Sequence, residues 1–268
     1  MTNVCDIERF MHLFRGYSEA YGSYNASNLG GEGKQPTEQN FLEHINGKQP
    51  IGIYPLDNNE KVSFAAIDID EYPINHVALS EKLNDWKLPF LVCNSKSGGA
   101  HIYIFFRKSE EPGMVIQLLK RVSASLGYPK AEIFPKQVNR PSGSYGNFIN
   151  LPFFGHPSLS YSCWDGDNEL GIDGFLNLAE KRLTSFLELE VLIEEAELIE
   201  DLSSEEPKAA EVIHASGRND YLFKFGCQLF RLIKDETILL NQLKSKNLSA
   251  TAAEHPTLIL VGQYLIMN

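Results

Sequence analysis

An alternating pattern of apolar and acidic positions marks the stretch Phe64–Tyr72, which reads F-A-A-I-D-I-D-E-Y. Side chains on a β-strand alternate between two faces, so Asp68 and Asp70 would share one face while Ala65, Ile67 and Ile69 share the other. The pattern predicts a strand over 62–70 that carries two carboxylates on an apolar support. Such a pair repels itself unless a cation lies between the oxygens.

Similar patterns predict the elements around this strand. Apolar spacing predicts strands at 51–56, 90–94, 100–106, 131–134 and 148–153, and helices near 4–14 and at 38–47, 76–88, 113–126 and 174–185. The polar, glycine-rich stretch after the first helix is predicted to be a mobile loop. Strands interleaved with helices predict an α+β fold, with an N-terminal α/β unit and an RRM-like antiparallel or mixed sheet as the catalytic core.

The chain is predicted to contain three parts. Residues 1–185 would form the catalytic domain, and 186–211 an acidic helix followed by a linker. Apolar positions recur on a helical period across 219–233. Residues 212–268 are therefore predicted to form a small all-α C-terminal domain.

Charge is distributed unevenly along the 268 residues, whose net charge is −11. The stretch 186–211 has ten acidic side chains against one lysine, whereas 91–150 has a net charge of +5. The overall charge argues against indiscriminate nucleic-acid binding, but the basic middle is suited to facing phosphates. Because no apolar run is long enough to span a bilayer and no secretory pattern opens the chain, an intracellular, cytoplasmic protein without a membrane partner is expected.

The four cysteines, Cys5, Cys93, Cys163 and Cys227, are far apart in sequence and form no C-x-x-C pair. Neither a zinc module nor a disulfide framework is expected from this spacing. The sequence predicts free thiols, most of them buried.

Three further motifs add to the aspartate pair. Ser97, Gly98 and Gly99 precede His101, and glycines allow backbone amides to approach phosphate oxygens while an imidazole donates to them. Glu132 is a third carboxylate, followed by Lys136 and Gln137, and Asn147 stands at the mouth of an apolar strand. Each motif alone has a simpler explanation: a solvated strand end, a turn histidine or a surface acid. Together they supply what metal-assisted phosphoryl or nucleotidyl transfer requires.

The order of these motifs over roughly residues 10–160 resembles the catalytic core of the archaeo-eukaryotic primase superfamily, above all the primase-polymerases of phages, plasmids and bacterial conflict systems. The resemblance implies that Asp68, Asp70 and Glu132 bind two Mg²⁺ or Mn²⁺ ions. The same resemblance implies a triphosphate-binding set (Ser97, Gly98, Gly99 and His101, with Lys136, Gln137 and Asn147 nearby). Single-stranded DNA template, primer and nucleoside triphosphates would be the partners. Tyr54 is either a residue that stacks on the sugar and discriminates at its 2′ position or a core tyrosine.

A second resemblance begins at Ser216, where S-G-R-N-D-Y-L-F is similar to the start of the helical domain that follows the catalytic core in many such primases. The pattern stops after about Asn247 without its proline-containing ending, and no helicase domain follows. The small domain is therefore expected either to be incomplete or to work with a separate helicase.

The predicted function is that of a DNA primase-polymerase, which transfers nucleotides by a two-metal mechanism. A repair-type polymerase that only extends primers would share every catalytic residue. A rolling-circle endonuclease would need clustered metal-binding histidines and a nucleophilic tyrosine, and His101 has no second histidine within two residues. A non-catalytic nucleic-acid-binding module would not need three carboxylates beside a basic stretch.

Overall fold

A computed structural model describes residues 4–25, 28–155 and 162–204. The helices are α1 (Val4–Leu13), α2 (Glu38–Ile45), α3 (His76–Asp85), α4 (Pro112–Ser125), α5 (Ile172–Lys181) and α6 (Phe186–Ser204). The strands are β1 (Tyr21–Asn25), β2 (Asn28–Glu32), β3 (Ile51–Ile53), β4 (Val62–Ile69), β5 (Leu91–Asn94), β6 (Ala100–Glu110), β7 (Glu132–Phe134), β8 (Ile149–Asn150), β9 (Cys163–Asp165) and β10 (Asn168–Leu170).

The larger sheet has six antiparallel strands in the order β10-β9-β5-β6-β4-β7. Its core follows the chain order β4-α3-β5-β6-α4-β7, with β4 and β6 side by side in the middle. This βαββαβ arrangement is the predicted RRM-like topology, and the α+β prediction is confirmed.

Each face of this sheet is covered by a different core. Ile67 and Ile69 of β4 lie in an aliphatic core shared with α3, α4 and α6. Phe64 and Ala66 lie in an aromatic-rich core shared with α1, α2 and α5. The alternation predicted for β4 is therefore confirmed, and Asp68 belongs to the aromatic side.

The smaller sheet, in the order β2-β1-β3-β8, forms where part of the N-terminal region was predicted to be a loop. Glycines in β1 and β2 obscure the strand pattern, yet these strands pair as an antiparallel hairpin. The Phe148 ring covers this sheet: a Cβ added at Gly22 or Gly52 would lie 2.1 or 2.3 Å from it. Gly22 and Gly52 thus leave the room that the aromatic ring occupies.

The acidic segment 186–202 is helical, as predicted, and lies within α6. Leu189, Ile193 and Ala196 are buried in the aliphatic core that α3 and α4 also share. On the polar side of this helix, the Glu197 carboxylate forms an ion pair with the Arg121 guanidinium, with a nitrogen-to-oxygen distance of 2.6 Å. The helix is thus packed against the first predicted domain, whereas the predicted domain 212–268 lies outside the described residues.

Two of the cysteines are adjacent in the fold. Cys93 in β5 lies directly opposite Cys163 in β9, and both thiols are buried, while Cys5 is exposed. Burial raises the pKa of the Cys93 thiol well above its ordinary value. The long separation of the two cysteines in sequence gave no indication that they are neighbours.

Among the described residues, none of the helices is both long and apolar enough to span a membrane.

His44 ties three segments together from a buried position. Its Nδ1 accepts a 3.1 Å hydrogen bond from the Ile51 amide, and its Nε2 donates to the Pro152 carbonyl at 2.8 Å. Both ring nitrogens are used by the neutral imidazole. Burial lowers the pKa of His44 to about 4, despite the opposing effect of the Pro152 carbonyl.

Because burial lowers the pKa of His44, we expect the free energy of unfolding to fall in mild acid. Below the ordinary histidine pKa of about 6.5, the unfolded chain takes up a proton that folded His44 refuses until about pH 4. The stability that neutral, buried His44 contributes is fully present above the unfolded-state pKa of about 6.5. It is lost as the pH falls through the folded-state pKa of about 4. Its upper limit is about 3 kcal/mol.

Urea unfolding of the wild type and of His44→Gln at about pH 7 and about pH 4 measures the effect. The free-energy gap between the two proteins should narrow in acid, because the variant lacks the buried base. His12→Gln is the matched control, since His12 is exposed. A gap of equal size at both pH values would contradict the prediction.

Candidate active site

Asp68 lies where three neighbouring strands meet. On β4 it stands directly opposite His101 of β6 on one side and Glu132 of β7 on the other. Directly opposed residues of antiparallel strands point to the same face, with Cβ atoms roughly 5 Å apart. The register therefore places Asp68, His101 and Glu132 side by side on one face of the sheet.

The Asp68 carboxylate is only 16% exposed, and it is incompletely satisfied. Its Oδ1 lies 3.3 Å from Nε2 of His101, but this buried oxygen has no hydrogen-bond partner among the described residues. A buried acceptor without a donor is costly to the fold. Such an atom is suited to receiving a cation or a proton donor from a ligand.

His101 is held from its other side by two residues that the sequence did not single out. Its Nδ1 lies 2.9 Å from the Tyr103 hydroxyl, which in turn donates to the backbone oxygen of Asn150 at 2.7 Å. Burial raises the pKa of Tyr103 well above its ordinary value, so the hydroxyl keeps its proton. The alternation of β6 places Tyr103 on the face of His101 and could have found it, whereas Asn150 lies on β8 and gave no such signal.

Asp70, two residues after Asp68 and just beyond the end of β4, is exposed. Its Oδ1 accepts hydrogen bonds from the hydroxyls of Tyr72 at 3.1 Å and Ser97 at 3.2 Å. Ser97 of the β5–β6 turn therefore lies against the second aspartate. Tyr72 is a new member of the site, and it stands in the same sequence stretch as the aspartates.

The turn between β5 and β6 is clamped against the end of β4. The Gly99 carbonyl accepts from the Ser95 amide and from Nε2 of His76, both at 2.8 Å. A Cβ added at Gly99 would lie 2.2 Å from the Ile69 carbonyl oxygen. Glycine is required at position 99 because the two backbones touch there.

Glu132 forms an ion pair with Lys136 across 2.6 Å, and its side chain is 55% exposed. The Lys136 ammonium also lies 4.9 Å from the centre of the Phe134 ring. Exposed ion pairs contribute only about 0–1 kcal/mol. Lys136 can therefore leave Glu132 at little cost when a stronger partner arrives.

A pocket of about 460 Å³, including its open mouth, lies beside His101. It is bounded by residues of both sheets and of the β5–β6 turn (His44, Pro50, Ile51, Asn94, Ser95, Lys96, His101, Asn150, Leu151 and Phe154). The buried Oδ1 of Asn150 has no hydrogen-bond partner within the described part of the chain. The pocket thus combines apolar walls with unsatisfied polar groups, as ligand sites commonly do.

The other predicted residues lie outside this pocket's lining. Gln137 packs its amide against Gly146, where an added Cβ would lie 2.0 Å from Nε2, and Asn147 is exposed. Tyr54 is 3% exposed and packs against Phe148 and Tyr145. Its environment matches the core alternative, because a buried ring cannot stack on a sugar.

The three carboxylates match the ligand chemistry of Mg²⁺ and Mn²⁺, which prefer oxygen donors. As placed, however, no three acidic, histidine or cysteine side chains among the described residues are grouped closely enough to hold a metal ion. Lys136 occupies Glu132, and two hydroxyls occupy Asp70. The unpartnered oxygen of Asp68 fits a cation, whereas the other two carboxylates make exposed contacts with an ammonium and two hydroxyls.

The fold and the site together are an RRM-like sheet that carries acidic side chains of the neighbouring strands β4 and β7 on one face. The model of the family described as "TOTE conflict system, Archaeo-Eukaryotic Primase domain" matches residues 31–169, which is just over half of the chain. The chain belongs to this family. The resemblance drawn from the sequence is thereby confirmed.

Two further comparisons add little. The chain is similar to the crystal structure of the primase RepB′ at 11% sequence identity, with a TM-score of 0.36 over 98% of both chains. A similarity this low supports no argument about the site. No curated protein matches the chain.

The contact between Gly99 and β4 predicts the effect of enlarging this turn. Gly99→Ala should lower the free energy of unfolding by about 3 kcal/mol, because the methyl group meets backbone that cannot rotate away. Gly98→Ala is the control: it strains a residue at φ +89° but finds open space, so it should cost about 1 kcal/mol. Urea unfolding of both variants tests this, and an equal or smaller loss in Gly99→Ala would refute the clamp.

Proposed function

We propose that this primase domain carries out template-directed nucleotidyl transfer on DNA, making primers, extending them or both, with two divalent ions held by Asp68, Asp70 and Glu132. One observation carries the proposal. The half-buried Asp68 carboxylate, with a buried oxygen that lacks a donor, lies on β4 between His101 of β6 and Glu132 of β7. Membership of a primase family supports it.

The carboxylates would divide the work according to their exposure. Asp68 is the fixed member, because neighbours on both strands surround it. Asp70 and Glu132 are exposed and would turn toward the ions by giving up their hydroxyl and ammonium partners. When bound, the ions would activate the attacking 3′-hydroxyl and neutralise charge on the leaving pyrophosphate.

Residues freed by this exchange would bind the triphosphate. The Ser97 hydroxyl donates a hydrogen bond to Asp70, and the Lys136 ammonium forms an ion pair with Glu132. Both groups could donate to phosphate oxygens instead. Gly98 leaves space above the turn, since a Cβ there would meet nothing within 4 Å. His101, which lines the pocket beside the turn, would hold the same group from the sheet side.

The charge distribution favours one side of the sheet for nucleic acid. The acidic helix α6 packs on the aliphatic core, on the face opposite Asp68. Its carboxylates would repel phosphate from that face. The net charge of +5 over 91–150 would favour contact with template and primer phosphates, although Arg107 and Arg121 of this stretch pair with Glu188 and Glu197 of α6.

A polymerase that only extends primers uses the same residues, so geometry does not separate it from a primase. Incubating the protein with single-stranded template and nucleoside triphosphates, with and without a primer, distinguishes the two. Products only in the primed reaction would identify an extension enzyme, and products in both would identify a primase.

Replacing the central carboxylate tests the mechanism. Asp68→Asn should reduce Mn²⁺- or Mg²⁺-dependent nucleotide incorporation by about 10³-fold, because ion binding contributes several kcal/mol to the transition state. Glu132→Gln should give a comparable loss. Primer extension measured at saturating nucleotide, with thermal melting to verify folding, reports the effect.

Glu81→Gln is the matched control, since Glu81 is an exposed carboxylate on α3. It should retain full activity. A folded Asp68→Asn protein with wild-type incorporation would rule out the mechanism.

A further inference from the structure

A line of polar contacts crosses the interior between the two sheets and ends at the proposed catalytic carboxylate. It begins at the backbone oxygen of Asn150 in β8, which lies 2.7 Å from the Tyr103 hydroxyl of β6. It continues over 2.9 Å to Nδ1 of His101, and Nε2 of that ring lies 3.3 Å from Oδ1 of Asp68. Both His101 and Tyr103 are buried, so solvent does not compete for these groups.

The proton positions in this line follow from donor and acceptor chemistry. A backbone carbonyl can only accept, so the single hydroxyl proton of Tyr103 is committed to Asn150. The Tyr103 oxygen can then only accept from His101. Nδ1 of His101 must therefore carry a proton, and the tautomer is set by its tyrosine neighbour.

The other ring nitrogen, Nε2, lies 3.3 Å from Oδ1 of Asp68, yet that oxygen has no hydrogen-bond partner among the described residues. With Nδ1 committed to Tyr103, Nε2 is the ring nitrogen left to meet a ligand beside Asp68.

We infer that Tyr103 is a positioning residue of the nucleotidyl-transfer site, which keeps a proton on Nδ1 of His101 and fixes the orientation of the ring, so that Nε2 is left for the ligand. The inference rests on the proposed function. Tyr103 is fully buried and is absent from the pocket lining, so it acts through His101 rather than on the substrate. Groups that orient a functional histidine through its second nitrogen commonly matter nearly as much as the histidine itself.

Tyr103→Phe removes the hydroxyl and keeps the ring. The centre of that ring lies 5.2 Å from the centre of the Phe14 ring and 6.2 Å from that of Phe105. The apparent KM for nucleotide in primer extension should rise about 5- to 10-fold, the worth of one hydrogen bond that positions a binding group. Tyr21→Phe is the matched control. It removes another buried tyrosine hydroxyl, one that accepts from Asn40, and should leave KM unchanged.

A double-mutant cycle separates positioning from a general structural effect. In a His101→Ala background, adding Tyr103→Phe should cause no further rise in KM, because the residue acts through the imidazole. Equal effects of Tyr103→Phe in both backgrounds would overturn the inference. An unchanged KM in Tyr103→Phe alone would overturn it as well.

The tautomer is measured directly by nitrogen NMR of the histidine-labelled wild-type protein, with the His101 signal identified by its loss in His101→Ala. The proton should reside on Nδ1. A proton on Nε2 with Nδ1 bare would overturn the inference even if Tyr103→Phe failed to fold. This readout needs no activity, so it stays separate from the Asp68→Asn test of the proposed function.

Discussion

The pairing of β4 with strands on both sides is the constraint on which the site depends. Asp68 meets His101 and Glu132 only because β6 and β7 hold their antiparallel registers against β4. A slip of one residue in either pair would turn the facing side chain to the other side of the sheet. The aliphatic core on one face and the aromatic core on the other oppose such slips, since each slip would move side chains that fit one core into the other. By holding the strand registers, the two cores therefore determine which side chains meet at the site.

The site combines a rigid centre with an exchangeable rim. Asp68, His101 and Tyr103 are enclosed by the sheet, and the unsatisfied oxygen of Asp68 costs the fold stability. Unsatisfied buried polar atoms in native proteins commonly serve function. Around this centre, Ser97 and Lys136 make exposed contacts that a charged ligand can replace. The arrangement fits a site that binds polyanionic substrates and releases its product.

Alternation and turn chemistry predicted the parts of the fold that follow simple periods. The faces of β4 and β6 follow from a period of two, whereas the meeting of Asp68 with His101 depends on a pairing register that the sequence did not predict. The β1–β2 hairpin was missed because its glycines carry no strand pattern. The adjacency of Cys93 and Cys163 was missed because β9 is three residues long and distant in sequence. Tyr103 was placed on the right face, but only atomic contacts show that its hydroxyl holds His101.

The most direct test of the central claim is a crystal structure of the protein soaked with Mn²⁺ and a non-hydrolysable nucleoside triphosphate. Anomalous scattering locates the metal independently of its ligands. The account predicts Mn²⁺ bound by Asp68 together with Asp70 or Glu132, at about 2.2 Å per oxygen, with Lys136 turned toward the phosphates. A triphosphate bound in the pocket with Mn²⁺ held elsewhere, or with Asp68 left without metal, would contradict it.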